Sequence, residues 1–178
     1  MGQGSSKLHP DEIEELQAIS SFTPAQIKTL YNRFKHVDKD NSGSLTVDEM
    51  TAIPELAMNP LCLRIVEVFD SDKRGEVNFK QFVSALSVFS KGARREQKLS
   101  FAFKVYDVNG DGVISSSDLF IVLKLMVGSN LDDTQVQALV DQTILEADTI
   151  DKDGAISFKE FKRALFGADL ENILTIEI

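Results

Sequence analysis

The chain has 178 residues, 43% of them apolar, and a formal net charge of −9. That length and apolar content suit one or two small folded domains and exclude a disordered tail, and the acidic balance argues against a nucleic-acid partner. Cys62 is the single cysteine, which excludes an intrachain disulfide and fits a core position in a reducing compartment.

The N-terminus reads Met-Gly-Gln-Gly-Ser-Ser-Lys and carries no apolar run of the secretory kind. Gly2 and Ser6 match the N-myristoylation pattern, so Gly2 is the candidate lipidation site, with peripheral membrane contact as its consequence. One acyl chain gives only marginal membrane affinity. No stretch of the chain is long and apolar enough to predict a membrane-spanning helix. Residues 1–22 read as an N-terminal arm, in which Ile13, Leu16 and Ile19 fall at helical spacing.

Thr23-Pro24-Ala25-Gln26 predicts the first long helix. Thr23 is a good N-cap, Pro24 suits the first helical position, and Gln26 completes a capping box. Ile27, Leu30, Tyr31 and Phe34 then recur at helical spacing. After them comes the acidic run Asp-Lys-Asp-Asn-Ser-Gly-Ser-Leu-Thr-Val-Asp-Glu at 38–49. It fits the twelve-residue EF-hand loop, whose oxygens hold calcium and whose central glycine makes the sharp turn. Comparable runs surround Gly75, Gly112 and Gly154, so the chain is a repeat of such units.

In the first loop Asp38, Asp40 and Ser42 stand at positions 1, 3 and 5, the Ser44 carbonyl at 7 and Glu49 at 12. This is a full calcium set. The second loop keeps Asp70, Asp72 and Glu76, but Arg74 replaces a ligand at position 5 and Gln81 replaces the closing carboxylate. It is predicted to be degenerate, metal-free and structural. The third offers Asp107, Asn109, Asp111 and the Val113 carbonyl, closed by Asp118 rather than glutamate. The shorter side chain predicts weaker calcium binding and better competition by magnesium. In the fourth, counting back from Gly154 places Asp153, Asp151 and Thr149 at positions 5, 3 and 1, with the Ala155 carbonyl at 7 and Glu160 at 12. Asp148 sits one residue early. Either it reaches in from a loop with one residue inserted, or position 1 is a poor ligand.

Loop position 8 is aliphatic throughout, at Leu45, Val77, Ile114 and Ile156. EF-hand loops pair through short strands there. The predicted fold is all-α: two lobes of paired EF-hands, each with a short two-stranded loop pairing. The boundaries are 23–90 for the first lobe, 91–95 for a polar linker, 96–166 for the second and 167–178 for an apolar C-terminal tail. Asp132, with Gln135 three residues later, predicts the start of the helix entering the fourth loop. Groove candidates for a partner helix are Leu86, Phe89, Leu123 and Met126 on the helices that leave loops two and three.

No catalytic constellation is visible. His9 and His36 are far apart in sequence, Cys62 has no evident base, and the carboxylates are accounted for as metal ligands. The low methionine content beyond Met1 (Met50, Met58 and Met126) predicts a groove made for one partner rather than many.

Several stretches outside the metal ligands carry a closer resemblance. They are Pro54-Glu-Leu with Asn59-Pro-Leu, Glu96-Gln-Lys-Leu-Ser-Phe-Ala-Phe, and Leu119-Phe-Ile-Val-Leu-Lys-Leu-Met-Val-Gly-Ser-Asn-Leu. From about Ile27 onward the chain closely resembles the calcineurin B family, the regulatory subunits of a calcium-dependent Ser/Thr phosphatase. The resemblance implies calcium as cofactor and a non-catalytic, cytoplasmic subunit in a constitutive heterodimer with the catalytic A subunit, one helix of which lies between the lobes. It also implies docking of immunophilin–drug complexes. The longer arm, the altered second loop and the irregular fourth loop depart from that family's pattern. The arm also resembles calcineurin B homologous proteins, which bind sodium/proton exchangers, although those have a long insert between lobes and a degenerate first loop. A calcium-myristoyl switch sensor is the other alternative.

Overall fold

The computed structural model describes residues 8–90 and 92–167. The candidate lipidation site at Gly2 and nearly all of the expected tail lie outside the described residues.

Each half of the molecule is built from helix, loop, short strand and helix, twice over. The arm forms α1 (Pro10–Ile19). The first hand is α2 (Pro24–Val37), β1 (Ser44–Thr46) and α3 (Val47–Thr51), and a single turn, α4 (Pro54–Ala57), follows it. The second hand is α5 (Cys62–Phe69), β2 (Glu76–Asn78) and α6 (Phe79–Ser87). The third is α7 (Arg95–Tyr106), β3 (Val113–Ile114) and α8 (Ser116–Val127). The fourth is α9 (Asp133–Ala147), β4 (Ile156–Ser157) and α10 (Phe158–Ala164).

The expected caps are present. Thr23 Oγ1 accepts from Gln26 N at 3.3 Å while Gln26 Oε1 accepts from Thr23 N at 2.9 Å. Asp132 and Gln135 exchange the same pair of bonds at the start of α9, at 2.9 and 3.0 Å. A further set was not foreseen. Thr46, Asn78, Ser115 and Ser157, at loop position 9, each cap the helix that leaves their loop, and the residue at position 12 closes the box. The side chain that closes each loop therefore also satisfies a free N–H at a helix start.

The loops pair as position 8 predicts. Leu45 faces Val77 across the antiparallel β1–β2 ladder, and Ile114 faces Ile156 across β3–β4. All four are buried. Burying aliphatic side chains of this size contributes about 1.5–3 kcal/mol each, so the ladders are anchored by packing as well as by hydrogen bonds.

Two apolar clusters result, and the helices do not divide between them at the connector. The first holds Ile27, Leu30, Phe34, Val66, Phe69 and Val83, together with Leu16 and Phe22 from the expected arm. It also takes Phe101 and Val105 from α7 of the third hand. The second takes Leu99 and Phe103 from the same helix, with Leu119, Val136, Val140 and Phe161. Thus α7 is buried on two sides and ties the halves together. Phe101 meets Phe89 edge-on at 4.8 Å and Phe69 at 5.9 Å. Arg64 on α5, itself buried, donates from Nε to the Val105 carbonyl and from Nη2 to the Lys104 and Asp107 carbonyls, each at 3.2 Å. A guanidinium there satisfies carbonyls that the end of α7 leaves free and complements the negative end of the helix. The segment between the halves is held to the arm, since Ser21 Oγ lies 2.7 Å from Ser90 Oγ.

Candidate metal centres

The first residue of each loop is set by the helix before it. Asp38, Asp70, Asp107 and Asp148 are the C-caps of α2, α5, α7 and α9, with φ/ψ of −67/83°, −76/72°, −75/86° and −74/82°. From that position each carboxylate reaches across its loop to the N–H of the central glycine. The distances are 3.0 Å to Gly43, 2.7 Å to Gly75, 2.9 Å to Gly112 and 2.8 Å to Gly154. These glycines have φ between 80° and 90°, a region that disfavours residues with a Cβ.

In the first loop, Asp38, Asp40 and Glu49 each present a carboxylate oxygen within 4.8 Å of the others. Ser42 Oγ donates to the Ser44 carbonyl at 2.9 Å, so two further candidate ligands face each other. Glu49 Oε1 accepts from Lys39 N at 2.8 Å and Oε2 from Thr46 N at 3.0 Å. The Thr46 and Lys39 N–H groups hold its pKa below the ordinary glutamate value, which keeps it ionised for a cation.

The second loop has the same backbone with different chemistry. Asp70 accepts from Arg74 N at 3.0 Å as well as from Gly75 N. The Arg74 guanidinium lies 3.8 Å from Asp72, and Gln81 Nε2 donates to Ser71 Oγ at 3.0 Å. A cationic side chain and an amide thus replace the oxygen ligand of position 5 and the closing carboxylate of position 12. Glu76, the third residue kept in this degenerate loop, lies in β2 opposite Thr46.

In the third loop Asp107 accepts from Gly110 N at 2.8 Å and Asp111 N at 3.2 Å, in addition to Gly112 N. Asn109 Nδ2 donates to Asp111 Oδ2 at 3.0 Å, and Val113 N donates to Asp111 Oδ1 at 3.0 Å. Asp118 is buried and bonds Ser115 N at 2.9 Å. The first loop's close group joins positions 1, 3 and 12, whereas position 3 of this loop is Asn109, an amide rather than a carboxylate. Among the described residues, groups of three or more carboxylates with mutually close oxygens occur in the first and fourth loops.

The fourth loop brings together Asp148, Asp151 and Asp153, again within 4.8 Å of one another. Glu160 is fully buried; its Oε1 accepts from Ile150 N at 2.9 Å and its Oε2 from Ser157 N at 3.0 Å. Those N–H groups pull its pKa down to about 2. Burial, followed by the neighbouring Asp153, Glu160 and Asp148 charges, pushes Asp151 up. Negative charge is therefore concentrated in a loop whose oxygens suit a hard divalent cation.

Of the four groove candidates, Leu86 and Phe89 line a large apolar cavity of about 1430 Å³. Leu123 instead packs into the second cluster, and Met126 is exposed outside the cavity lining. The helix leaving the third loop turns that face away from the cavity, where Leu119 takes its place. Sequence reasoning missed the contributions of Ile53 beside α4, Phe101 and Val105 on α7, and Leu165 after α10. A signal was present in the alternating large residues of Phe101-Ala-Phe-Lys-Val105, which a one-sided helix does not need.

The profile of the EF-hand domain pair matches residues 96–166. The calcineurin B protein of Naegleria gruberi is 54% identical over the whole of both chains. The chain belongs to the calcineurin B family. The type 1 calcineurin B protein of Dictyostelium discoideum is 49% identical, over 90% of this chain and 89% of that relative. The calcineurin B protein of Schizosaccharomyces pombe is 44% identical over 99% of each. As a calcineurin B protein, the chain is a calcium-binding regulatory subunit and not a catalytic one.

Proposed function

We propose that this calcineurin B protein confers calcium sensitivity on a calcineurin-type Ser/Thr phosphatase by holding an amphipathic helix of the catalytic subunit. The observation that carries this reading is the apolar cavity of about 1430 Å³, to which both EF-hand pairs contribute. Leu86 and Phe89 line it from one pair, and Leu119 and Phe161 from the other, with Phe101 between them. A helix laid there meets apolar side chains along one face, the helix-in-groove mode of recognition. Because the helices flanking the metal loops form the walls, a change of interhelical angle on calcium binding would reshape the groove.

Purification of the chain from its own cells, once with calcium and once with chelator, tests the reading. A stoichiometric phosphatase catalytic chain in both samples supports it. A sodium/proton exchanger in its place, or no stable partner in either sample, overturns it. Leu86→Asp, on the groove wall, is expected to release the catalytic chain while calcium binding persists. Acylation at Gly2, a cytoplasmic location with peripheral membrane contact, and docking of immunophilin–drug complexes belong to the same proposal. Mass spectrometry of the N-terminal peptide tests the first, cell fractionation the second, and pull-down with drug-loaded immunophilin the third.

A further inference from the structure

We propose that the fourth loop is a thirteen-residue calcium site, residues 148–160, that takes Asp148 as its first ligand and leaves Thr149 outside the metal shell. The inference rests on the reading of this chain as a calcium-binding protein and is independent of its partner.

Three observations converge on Asp148. It ends α9 in the same backbone conformation with which Asp38, Asp70 and Asp107 end their helices. Its Oδ2 accepts from the central glycine at 2.8 Å, across six residues rather than the five that separate Asp38 from Gly43. Its Oδ1 is a buried side-chain oxygen that accepts no hydrogen bond, and the residue is only 9% exposed. In the other loops the corresponding oxygen accepts from a backbone N–H further round the loop, as Asp38 Oδ1 does from Ser42 at 3.0 Å. Leaving a buried carboxylate oxygen without a partner is costly. A cation lying among Asp148, Asp151 and Asp153 satisfies it.

The extra residue can be placed. Ile150 N bonds Glu160 Oε1 at 2.9 Å, as Lys39 N bonds Glu49 Oε1 at 2.8 Å, so Ile150 stands at position 2. Lys152 has φ of 55°, matching Asn41 at 56° in the first loop, so position 4 is also in register. The insertion therefore falls between the first ligand and position 2, on Thr149, which is exposed. With Glu160 closing it, the site offers four carboxylates, Asp148, Asp151, Asp153 and Glu160, where the first loop offers three. Carboxylate number is one of the factors that set calcium affinity in such loops.

Calcium titration calorimetry on the full chain decides the matter, with Asp148→Asn, Thr149→Ala and Glu160→Gln compared with the parent. Asp148→Asn and Glu160→Gln are each expected to bind one calcium ion fewer, and Thr149→Ala the same number as the parent. The Gly154 amide resonance should move on calcium addition in the parent and in Thr149→Ala, and stay in place in Asp148→Asn. Circular dichroism establishes that each variant is folded. A full count in Asp148→Asn, or an ion lost in Thr149→Ala, overturns the assignment in favour of the twelve-residue register. A full count in Glu160→Gln overturns the site altogether. Calcium bound by the first loop but not the fourth defeats this inference and leaves the calcium-binding reading standing, whereas a parent chain that binds none defeats both.

Discussion

In the second loop Asp70 holds the Gly75 N–H at 2.7 Å, and in the fourth Asp148 holds the Gly154 N–H at 2.8 Å. The two loops keep the same backbone turn, and each is paired through an aliphatic residue to its neighbour. Their chemistry differs. The second has the regular spacing but places Arg74 and Gln81 where oxygen ligands belong. The fourth has irregular spacing but gathers three aspartates around one point, above a buried glutamate. Loop geometry and metal chemistry are therefore separable. The turn is held by carboxylate-to-backbone bonds and by the strand pair, and ligand identity is added to it.

The sharpest way to test that separation is to restore ligands to the second loop. The double change Arg74→Asp with Gln81→Glu supplies oxygen at positions 5 and 12 of a preformed turn. It should create one additional calcium site with Kd of about 10⁻⁵ M or tighter, read by titration calorimetry. Absence of a new site would mean that the second loop's backbone departs from the others in a way that its hydrogen bonds do not reveal. The next effect in size concerns the shared ladder. Val77→Ala removes fully buried methyl groups opposite Leu45 and should cost about 2 kcal/mol in urea unfolding. It should also weaken calcium binding at the intact first loop, which the same ladder supports. Unchanged first-loop affinity would show that the second hand is not the structural partner described here.

Arg64→Ala follows. It deletes the donors to the carbonyls of Lys104, Val105 and Asp107, the last being the first residue of the third loop. A loss of about 1.5–3 kcal/mol is expected, with increased amide exchange at the C-terminal end of α7. A loss of stability confined to the first EF-hand pair would contradict the bridging role. The smallest expected effect is that of Gly75→Ala. A Cβ at Gly75 meets nothing within 4 Å, so only its φ of 80° resists the change. The cost should be about 1 kcal/mol. A much larger loss would mean that the second loop carries a ligand after all.

Much of this protein was legible from its sequence because the governing signals are local. Capping residues, helical spacing, the position-8 aliphatics and the central glycines are patterns along the chain, and each acts within a turn or a loop. They specified the hands and their pairing. The register of the fourth loop was not legible in the same way. A spacing count treats Thr149 and Asp148 as alternatives, and only the end of α9, with the bond from Gly154 N to Asp148, separates them. The lining of the apolar cavity was half legible. Leu86 and Phe89 line it, but whether Leu123 or Leu119 faces the cavity depends on how α8 is rotated against its neighbours, which periodicity alone does not set. Sharing of α7 between two cores, and its tie to Arg64, likewise needed the tertiary structure. Such contacts join residues about forty positions apart, and no local propensity encodes which distant carbonyl a guanidinium will find.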